Sequence, residues 1–363
     1  MAKLRAAVIG ATGNVGQVYI KLLEDHPYFE ISHVAASPRS AGKSYAEAVA
    51  GRWFMNTEIP PAVRELVVGD ANDYQSVVGT SDFIFCALDL DKQLIRELED
   101  NYARVGLPVV SNNSAHRKTP DVPMLIPEIN HAHTAVIPAQ QKARRWSRGF
   151  IVVKPNCSLQ SYLTPVYALQ KAGFAVSRMI ITTLQAVSGA GYHGVPSMDM
   201  VDNVVPYIGG EEEKSEEEPQ RILGRVEGDC ITPDGSIRIS AHCNRVPVVD
   251  GHTACVSMEL EGRKPSREEI LGIWSEFRSV PQEMELPMAP RLPIIYREEQ
   301  DRPQPRKDRD VDKGMAVVVG RLRPCRVFDY RFVGLSHNTV RGAAGGGILN
   351  AELLFRQGYL TPA

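Results

Sequence analysis

The stretch Leu4-Arg5-Ala6-Ala7-Val8-Ile9-Gly10-Ala11-Thr12-Gly13-Asn14-Val15-Gly16 decides the fold. A short apolar run ends in glycine, and two further glycines follow at a spacing of three. Helical spacing then sets in at Val18, Leu22 and Leu23, and segment 31–36 (ISHVAA) is a second apolar strand. Strand, glycine turn, helix and strand make a βαβ unit, which requires a parallel sheet. Gly10 allows the tight turn, Gly13 lets backbone approach a pyrophosphate, and Gly16 lets helix and strand pack closely. Thr12, Asn14 and Val15 complete the loop, and the helix N-terminus faces the phosphates.

The end of the second strand selects the dinucleotide. An NAD site has Asp or Glu there for the ribose hydroxyls. This sequence runs Ala35-Ala36-Ser37-Pro38-Arg39-Ser40-Ala41-Gly42-Lys43, with no carboxylate. Ser37, Arg39, Ser40 and Lys43 offer donors and positive charge to a 2′-phosphate, so NADP is the expected cofactor.

Further strands are predicted at Glu65–Val68, Asp82–Ala87 and Pro108–Ser111, with a helix over Lys92–Val105 between them. The first 150 residues or so therefore read as an open, doubly wound α/β sheet of Rossmann type. The pattern changes after Cys157. Segments 178–187, 236–240, 254–260 and 314–321 predict longer strands of a mixed sheet, with helices at 158–172 and 266–278 covering one face. This predicts an NADP-binding domain over 1–156 and an α+β catalytic and oligomerisation domain over 157–340. A helix in 341–363, with Leu349, Leu353 and Leu354 on one face, is expected to return to the first domain. By itself the acidic run 211–218 (EEEKSEEE) reads as a solvated surface helix. Segment 281–313, rich in proline and charge, reads as a surface excursion or interface loop.

At 363 residues, with 43% apolar and 23% charged side chains, the chain has the composition of an ordinary globular protein. A net charge of -2 gives no reason to expect nucleic acid or an acidic membrane as partner. No apolar run approaches a membrane span, and the N-terminus lacks the features of a signal peptide. The expected location is cytoplasmic. The six cysteines stand singly, without a CxxC pair or metal-ligand spacing, so reduced thiols and no metal site are expected.

One cysteine has a distinctive setting. The strand 150–153 leads into Lys154-Pro155-Asn156-Cys157-Ser158 and then a helix-like stretch. With Asn156 as the N-cap, Cys157 falls in the first helical turn, where the helix dipole lowers a thiol's pKa and backbone N–H groups lie close by. Pro165 predicts a kink in that helix. A nucleophilic thiol needs a base and a small anionic substrate needs an arginine fork. Segment 242–252 (HCNRVPVVDGH) concentrates two histidines and Arg245.

These features together resemble the aspartate-semialdehyde dehydrogenase family, most closely its archaeal and fungal branch. The marks run through nearly the whole chain: GATGNVG at 10–16, SNNSAHR at 111–117, PNCS at 155–158, LQAVSGAGY at 184–192, IGGEEEK at 208–214, NRVPVVDGH at 244–252, DRPQPRKDRD at 301–310 and HNTVRGAAGG at 337–346. The resemblance implies Cys157 as nucleophile, His252 as acid/base and Gln185 as a group placing substrate and thioacyl. It implies Arg245 on the substrate carboxylate and Glu211 near the amino group. Lys214, Asn113 and Arg117 would form the phosphate site. Ser188, Gly189 and Asn338 would join the glycine loop in holding the cofactor. Two departures flank the nucleophile: Lys154 stands where Asn is common, and Leu159-Gln160 replaces a small, Thr-rich stretch. The implied activity is NADP-dependent reductive dephosphorylation of 4-phospho-L-aspartate in lysine, threonine and methionine biosynthesis, by a homodimer or homotetramer. Two competing readings are a sibling acyl-CoA reductase, such as malonyl-CoA reductase, and a non-enzymatic NADP-sensing regulator.

Overall fold

The computed structural model describes residues 2–363. Strands β1 (Leu4–Ile9), β2 (Phe29–Ala36), β3 (Gly69–Asp70), β4 (Phe83–Cys86), β5 (Val109–Ser111) and β6 (Ile151–Val153) form one sheet in the order β3-β2-β1-β4-β5-β6. Every pairing in it is parallel. The order reverses at β1, so the glycine loop leaving β1 lies at the switch point, where open α/β sheets bind ligands. Gly10 has φ +89, and a Cβ there would sit 2.4 Å from the Ala87 carbonyl. A Cβ at Gly16 would meet the Gly10 carbonyl at 2.1 Å, so both positions exclude a side chain. The strand expected at Glu65–Val68 is displaced. Pro61–Arg64 forms a helical turn, and the paired residues are Gly69–Asp70.

The second sheet contains β7 (Val176–Gln185), β10 (Arg238–Arg245), β11 (His252–Leu260), β12 (Ile294–Arg297), β13 (Val317–Pro324) and β14 (Tyr330–Ser336), in the order β10-β7-β11-β14-β13-β12. A separate hairpin joins β8 (Arg225–Glu227) to β9 (Cys230–Thr232). The large sheet is mixed: β10–β7 and β12–β13 are parallel and the rest antiparallel. One face packs Met179, Ile181, Val256, Met258 and Phe332 against helices Leu163–Lys171 and Arg267–Glu276. Ser266 and Glu269 form a capping box that starts the second of these helices. Its Trp274 donates to the Pro165 carbonyl at 2.9 Å.

Pro165 does not kink its helix. It lies in the first turn, where a missing N–H costs little. The break falls instead at Tyr162, with φ -141 and ψ -24. Segment 281–313 is more structured than expected, since it contains β12 and the buried Asp308. That carboxylate binds Arg297 at 3.1 Å, Arg302, and the Gln304 N–H at 2.7 Å. The C-terminal helix Gly345–Arg356 packs Ile348, Ala351 and Leu354 with Val8, Tyr19 and Phe83 of the first sheet's core.

The acidic run is not a freely solvated helix. Glu211–Ile222 buries Glu211, Ser215, Glu218, Arg221 and Ile222. Its glutamates engage neighbouring backbone: Glu212 accepts from the Cys243 N–H at 3.1 Å and Glu216 from the Ala241 N–H at 3.0 Å. This fixes the helix along β10.

Candidate active site

Strand register brings the polar residues together. Arg245 ends β10, Gln185 ends β7 directly opposite it, and His252 begins the adjacent β11. All three lie at one end of neighbouring strands, facing the turn that follows β6. In that turn Asn156 is fully engaged. Its amide donates to both Glu211 oxygens at 2.8 and 2.9 Å, and its carbonyl oxygen accepts from the Ser158 N–H at 2.8 Å. Asn156 thus provides the capping bond, and Cys157 sits at the head of the turn. The turn is a four-residue 3₁₀ segment, Ser158–Ser161, and does not run on as one long helix. The dipole behind Cys157 is correspondingly small, because few aligned peptides stand behind it. The expected lowering of the thiol pKa is not found. Burial and the Glu211 carboxylate push the thiol up, against the pull of Lys154, Arg117 and Arg245.

Cys157 Sγ is 3.3 Å from His252 Nε2. The Ala186 N–H donates to His252 Nδ1 at 3.0 Å, which assigns the ring proton to Nε2. Burial and the Arg245 charge push the imidazole down to about 3, so it is neutral near pH 7. His252, expected as the acid/base residue, is thus oriented as a neutral donor toward the sulfur.

Arg245 is buried and donates to the Ala186 carbonyl at 2.8 Å. No carboxylate lies within 4.0 Å of it among the described residues, so its remaining donors suit an incoming anion. Burial would raise the Glu211 carboxyl, but Lys214 at 2.8 Å, Asn156 and Gln185 hold it below the usual range. Gln185 donates to Glu211 at 3.1 Å. Arg117 pairs with Glu218 at 3.0 Å, and Glu218 also accepts the Asn156 N–H at 2.6 Å.

Asn113 does not join this group. Its amide points into the first domain's interior, donating to Glu99 at 2.9 Å and Cys86 at 3.2 Å. Asn113, expected in the phosphate site, has its side chain held inward by buried Glu99. The adjacent Asn112, which sequence reasoning passed over, has both side-chain polar atoms buried and unbonded.

The cofactor residues fall in two groups. Ser37, Arg39 and Lys43 are exposed beyond β2 and Ser40 is buried; neither Arg39 nor Lys43 forms an ion pair among the described residues. Gly13 is exposed at the loop, while Thr12 and Val15 are half-buried. Asn14 donates to the Ser188 carbonyl at 3.3 Å, Asn338 donates to the Ser188 hydroxyl at 2.8 Å, and Asn338 accepts the Gly251 N–H at 2.7 Å. This chain of contacts joins the glycine loop to the second domain. Gly189 lies nearer the reacting groups than expected, since a Cβ there would be 2.9 Å from Arg245 Nη1 and 3.3 Å from His252 Nε2.

Comparison with known proteins gives this arrangement a family. Residues 5–137 match the semialdehyde dehydrogenase NAD-binding domain, and residues 166–341 match the semialdehyde dehydrogenase dimerisation domain. The aspartate-semialdehyde dehydrogenase of Methanothermobacter thermautotrophicus is 46% identical, over 97% of this chain and 99% of that protein. The chain belongs to the aspartate-semialdehyde dehydrogenase family. The Aspergillus fumigatus member is 44% identical, over 99% of each chain. The crystal structure of the Candida albicans family member with NADP superimposes with a TM-score of 0.89 at 38% identity, covering 99% of this chain and 100% of that one. Archaeal and fungal members thus stand together among the relatives of this family member.

Proposed function

We propose that the chain reduces 4-phospho-L-aspartate to L-aspartate 4-semialdehyde with NADPH, releasing phosphate, in the pathway to lysine, threonine and methionine. The observation that carries this reading is the 3.3 Å contact of Cys157 Sγ with His252 Nε2, beside a buried Arg245 that has no carboxylate partner. The Cys157 thiolate attacks the acyl carbon; a C–S bond forms, the C–O bond to phosphate breaks, and a thioester remains. The His252 Nε2–H donates to the sulfur and then to the oxygen of the tetrahedral species, which favours charge there. Arg245 takes the substrate carboxylate as a fork, and Glu211 faces the amino group. Lys214 and Arg117 offer positive charge to the departing phosphate, with Asn112 replacing Asn113 as the nearby free amide.

The glycine loop fits a dinucleotide, since Gly10 and Gly16 exclude side chains and Gly13 is exposed. Arg39, Ser37, Ser40 and Lys43 would hold the 2′-phosphate, and Asn338 and Ser188 the nicotinamide end. When bound there, NADPH would supply the hydride that reduces the thioester carbon, after which the C–S bond breaks, the aldehyde leaves and Cys157 returns as thiolate. The exposed outer face of the second sheet, including Ile180, together with the family's dimerisation domain, supports a homo-oligomer, dimer or tetramer.

The test is NADP reduction by L-aspartate 4-semialdehyde with and without phosphate, run in parallel with NAD and, in reverse, with malonyl-CoA. Phosphate-dependent turnover preferring NADP is expected. Turnover only with the CoA thioester would favour the sibling reductase, and binding without any turnover would favour a regulator.

A further inference from the structure

Helix Glu211–Ile222 offers the turn before Cys157 more than Glu211. Glu218 lies two helical turns beyond Glu211, so both side chains leave the same face. Glu218 is 8% exposed, and its two carboxylate oxygens serve different partners. Oε1 accepts from Arg117 Nη1 at 3.0 Å, and Oε2 accepts from the Asn156 N–H at 2.6 Å. The side-chain amide of Asn156 is bound by Glu211 at 2.8 and 2.9 Å. Two glutamates of one helix thus hold the residue before Cys157, one by its backbone and one by its side chain.

Arg117 has a second tie within its own loop, where Nη2 donates to the Asn112 carbonyl at 3.2 Å. Held at both Nη atoms, the guanidinium keeps one orientation. Its Nε is left as a buried donor with no partner among the described residues, and so is the side-chain amide of Asn112. Unpaired buried donors are costly, and an arriving oxyanion would satisfy them. Glu218 works against such an anion by charge, because it offsets the positive charge of Arg117. What it contributes instead is orientation, which a planar guanidinium needs more than a point charge does.

We propose that Glu218 is a positioning residue whose single buried carboxylate holds Arg117 and the turn carrying Cys157 in one mutual geometry. The inference rests on the proposed reading of Cys157 as nucleophile and Arg117 as a phosphate ligand, and adds what sets the spacing between them. In an acyl phosphate the attacked carbon and the phosphorus are joined through one oxygen. Sulfur and guanidinium must therefore act on neighbouring atoms at once, and a small error in their spacing is costly.

The experiment measures phosphate-dependent NADP reduction by L-aspartate 4-semialdehyde in wild type, Glu218→Gln and Glu218→Ala. Glutamine keeps one acceptor oxygen and gains a donor. The Asn156 N–H is fixed in the backbone whereas Arg117 can swing away from a like donor, so the oxygen is expected to stay on Asn156. KM for phosphate should then rise about tenfold in Glu218→Gln, with kcat falling by less than about threefold. Glu218→Ala loses both ties, and its kcat should fall at least about tenfold as well. In an Arg117→Ala background Glu218→Gln should no longer raise that KM, since its effect runs through Arg117. A residue that only supports the fold would lower Tm without this split. Phosphate binding is also read apart from turnover, as the rise in Tm of NADP-bound enzyme with inorganic phosphate, which Glu218→Gln should shrink. An unchanged phosphate KM in folded Glu218→Gln, or the same rise in the Arg117→Ala background, overturns the proposal. Failure of both Glu218→Gln and the charge-free pair Arg117→Met/Glu218→Gln to fold makes the contact structural and overturns it too. Wild-type turnover that ignores phosphate would overturn the proposed function along with it, and that result is visible before any variant is made.

Discussion

Replacing Gly189 by alanine isolates the geometry of the pocket from its chemistry. The added Cβ would lie 2.9 Å from Arg245 Nη1, 3.2 Å from His252 Cε1 and 3.3 Å from His252 Nε2. Unstrained carbon contacts need about 3.5 Å or more, so Arg245 must move by roughly 0.6 Å and the imidazole by somewhat less. Neither yields freely. Arg245 is tied to the Ala186 carbonyl at 2.8 Å, and His252 to the Ala186 N–H at 3.0 Å. A displacement approaching 1 Å in a reacting or clamping group costs on the order of 10²-fold in rate. That corresponds to about 2.7 kcal/mol in the barrier. Stability is expected to hold, because Gly189 is exposed and lacks a left-handed φ. The backbone there tolerates a Gly→Ala change, so any loss of Tm is confined to the displaced Arg245 and His252 hydrogen bonds, on the order of 1 kcal/mol. The assay is phosphate-dependent NADP reduction, with Tm and NADP affinity measured on the same preparation. A kcat/KM within threefold of wild type in a folded variant would refute the reasoning. So would a collapse of NADP affinity with normal substrate kinetics, which would return Gly189 to the cofactor.

Arg245→Lys keeps the charge but loses the fork. KM for the semialdehyde should rise roughly 10- to 100-fold, since charge-assisted bonds are worth about 1.5–3 kcal/mol, while Tm stays near wild type because no ion pair is broken. An unchanged KM would remove the clamp. Arg39→Ala should weaken NADP at least about tenfold and NAD hardly at all, as measured by fluorescence titration, because only NADP carries the 2′-phosphate. Equal losses would place Arg39 elsewhere. Asn113→Ala should lower stability by about 1–2 kcal/mol, through lost bonds to buried Glu99, and leave the KM for phosphate unchanged. A tenfold rise in that KM would restore Asn113 to the phosphate site. Asp308→Asn should cost roughly 2 kcal/mol by weakening its charge-assisted bonds. Burial would raise the Asp308 carboxyl, but Arg302, Gln304 and Arg297 outweigh it and hold it below the usual range. A depressed carboxyl contributes stability above its unfolded pKa, near 4, and loses it as pH falls through the folded value. Wild type should therefore lose Tm below about pH 4 by an increment that Asp308→Asn has already lost at pH 7.

Much of the site was legible because glycine and cysteine carry local constraints. Gly10 and Gly16 announce close backbone contacts wherever they occur after a strand, and the structure has those contacts. The pairing of Cys157 with His252 was reached only through resemblance, since 95 residues separate them and register alone brings them together. The inward turn of the Asn113 side chain was not legible for a reason of parity. Successive residues leaving β5 point to opposite sides, and in a stretch such as Ser111-Asn112-Asn113 the sequence does not say which amide faces in. The thiol's pKa was misjudged because helix continuity past Tyr162 could not be foreseen, and because burial is a property of the assembled pocket. Strand β12 was hidden by flanking prolines, and β14 by Gly334 in its interior, a weak strand former kept by the close approach of the Ser161 carbonyl. The acidic run was misread because a glutamate accepting from a neighbouring strand looks the same in sequence as one facing water.

That acidic helix has a consequence for solubility. Strand β10 is the outermost strand of its sheet, and an outermost strand with free N–H groups invites pairing with another chain. Glu212 and Glu216 occupy two of those groups, at Cys243 and Ala241, and Val205 bridges a third at Arg245. The helix that carries Glu211 and Lys214 into the pocket therefore also guards against aggregation. Loosening it to alter substrate preference would uncover a sticky edge, so variants of Glu212 or Glu216 made for activity should be screened first for their tendency to self-associate.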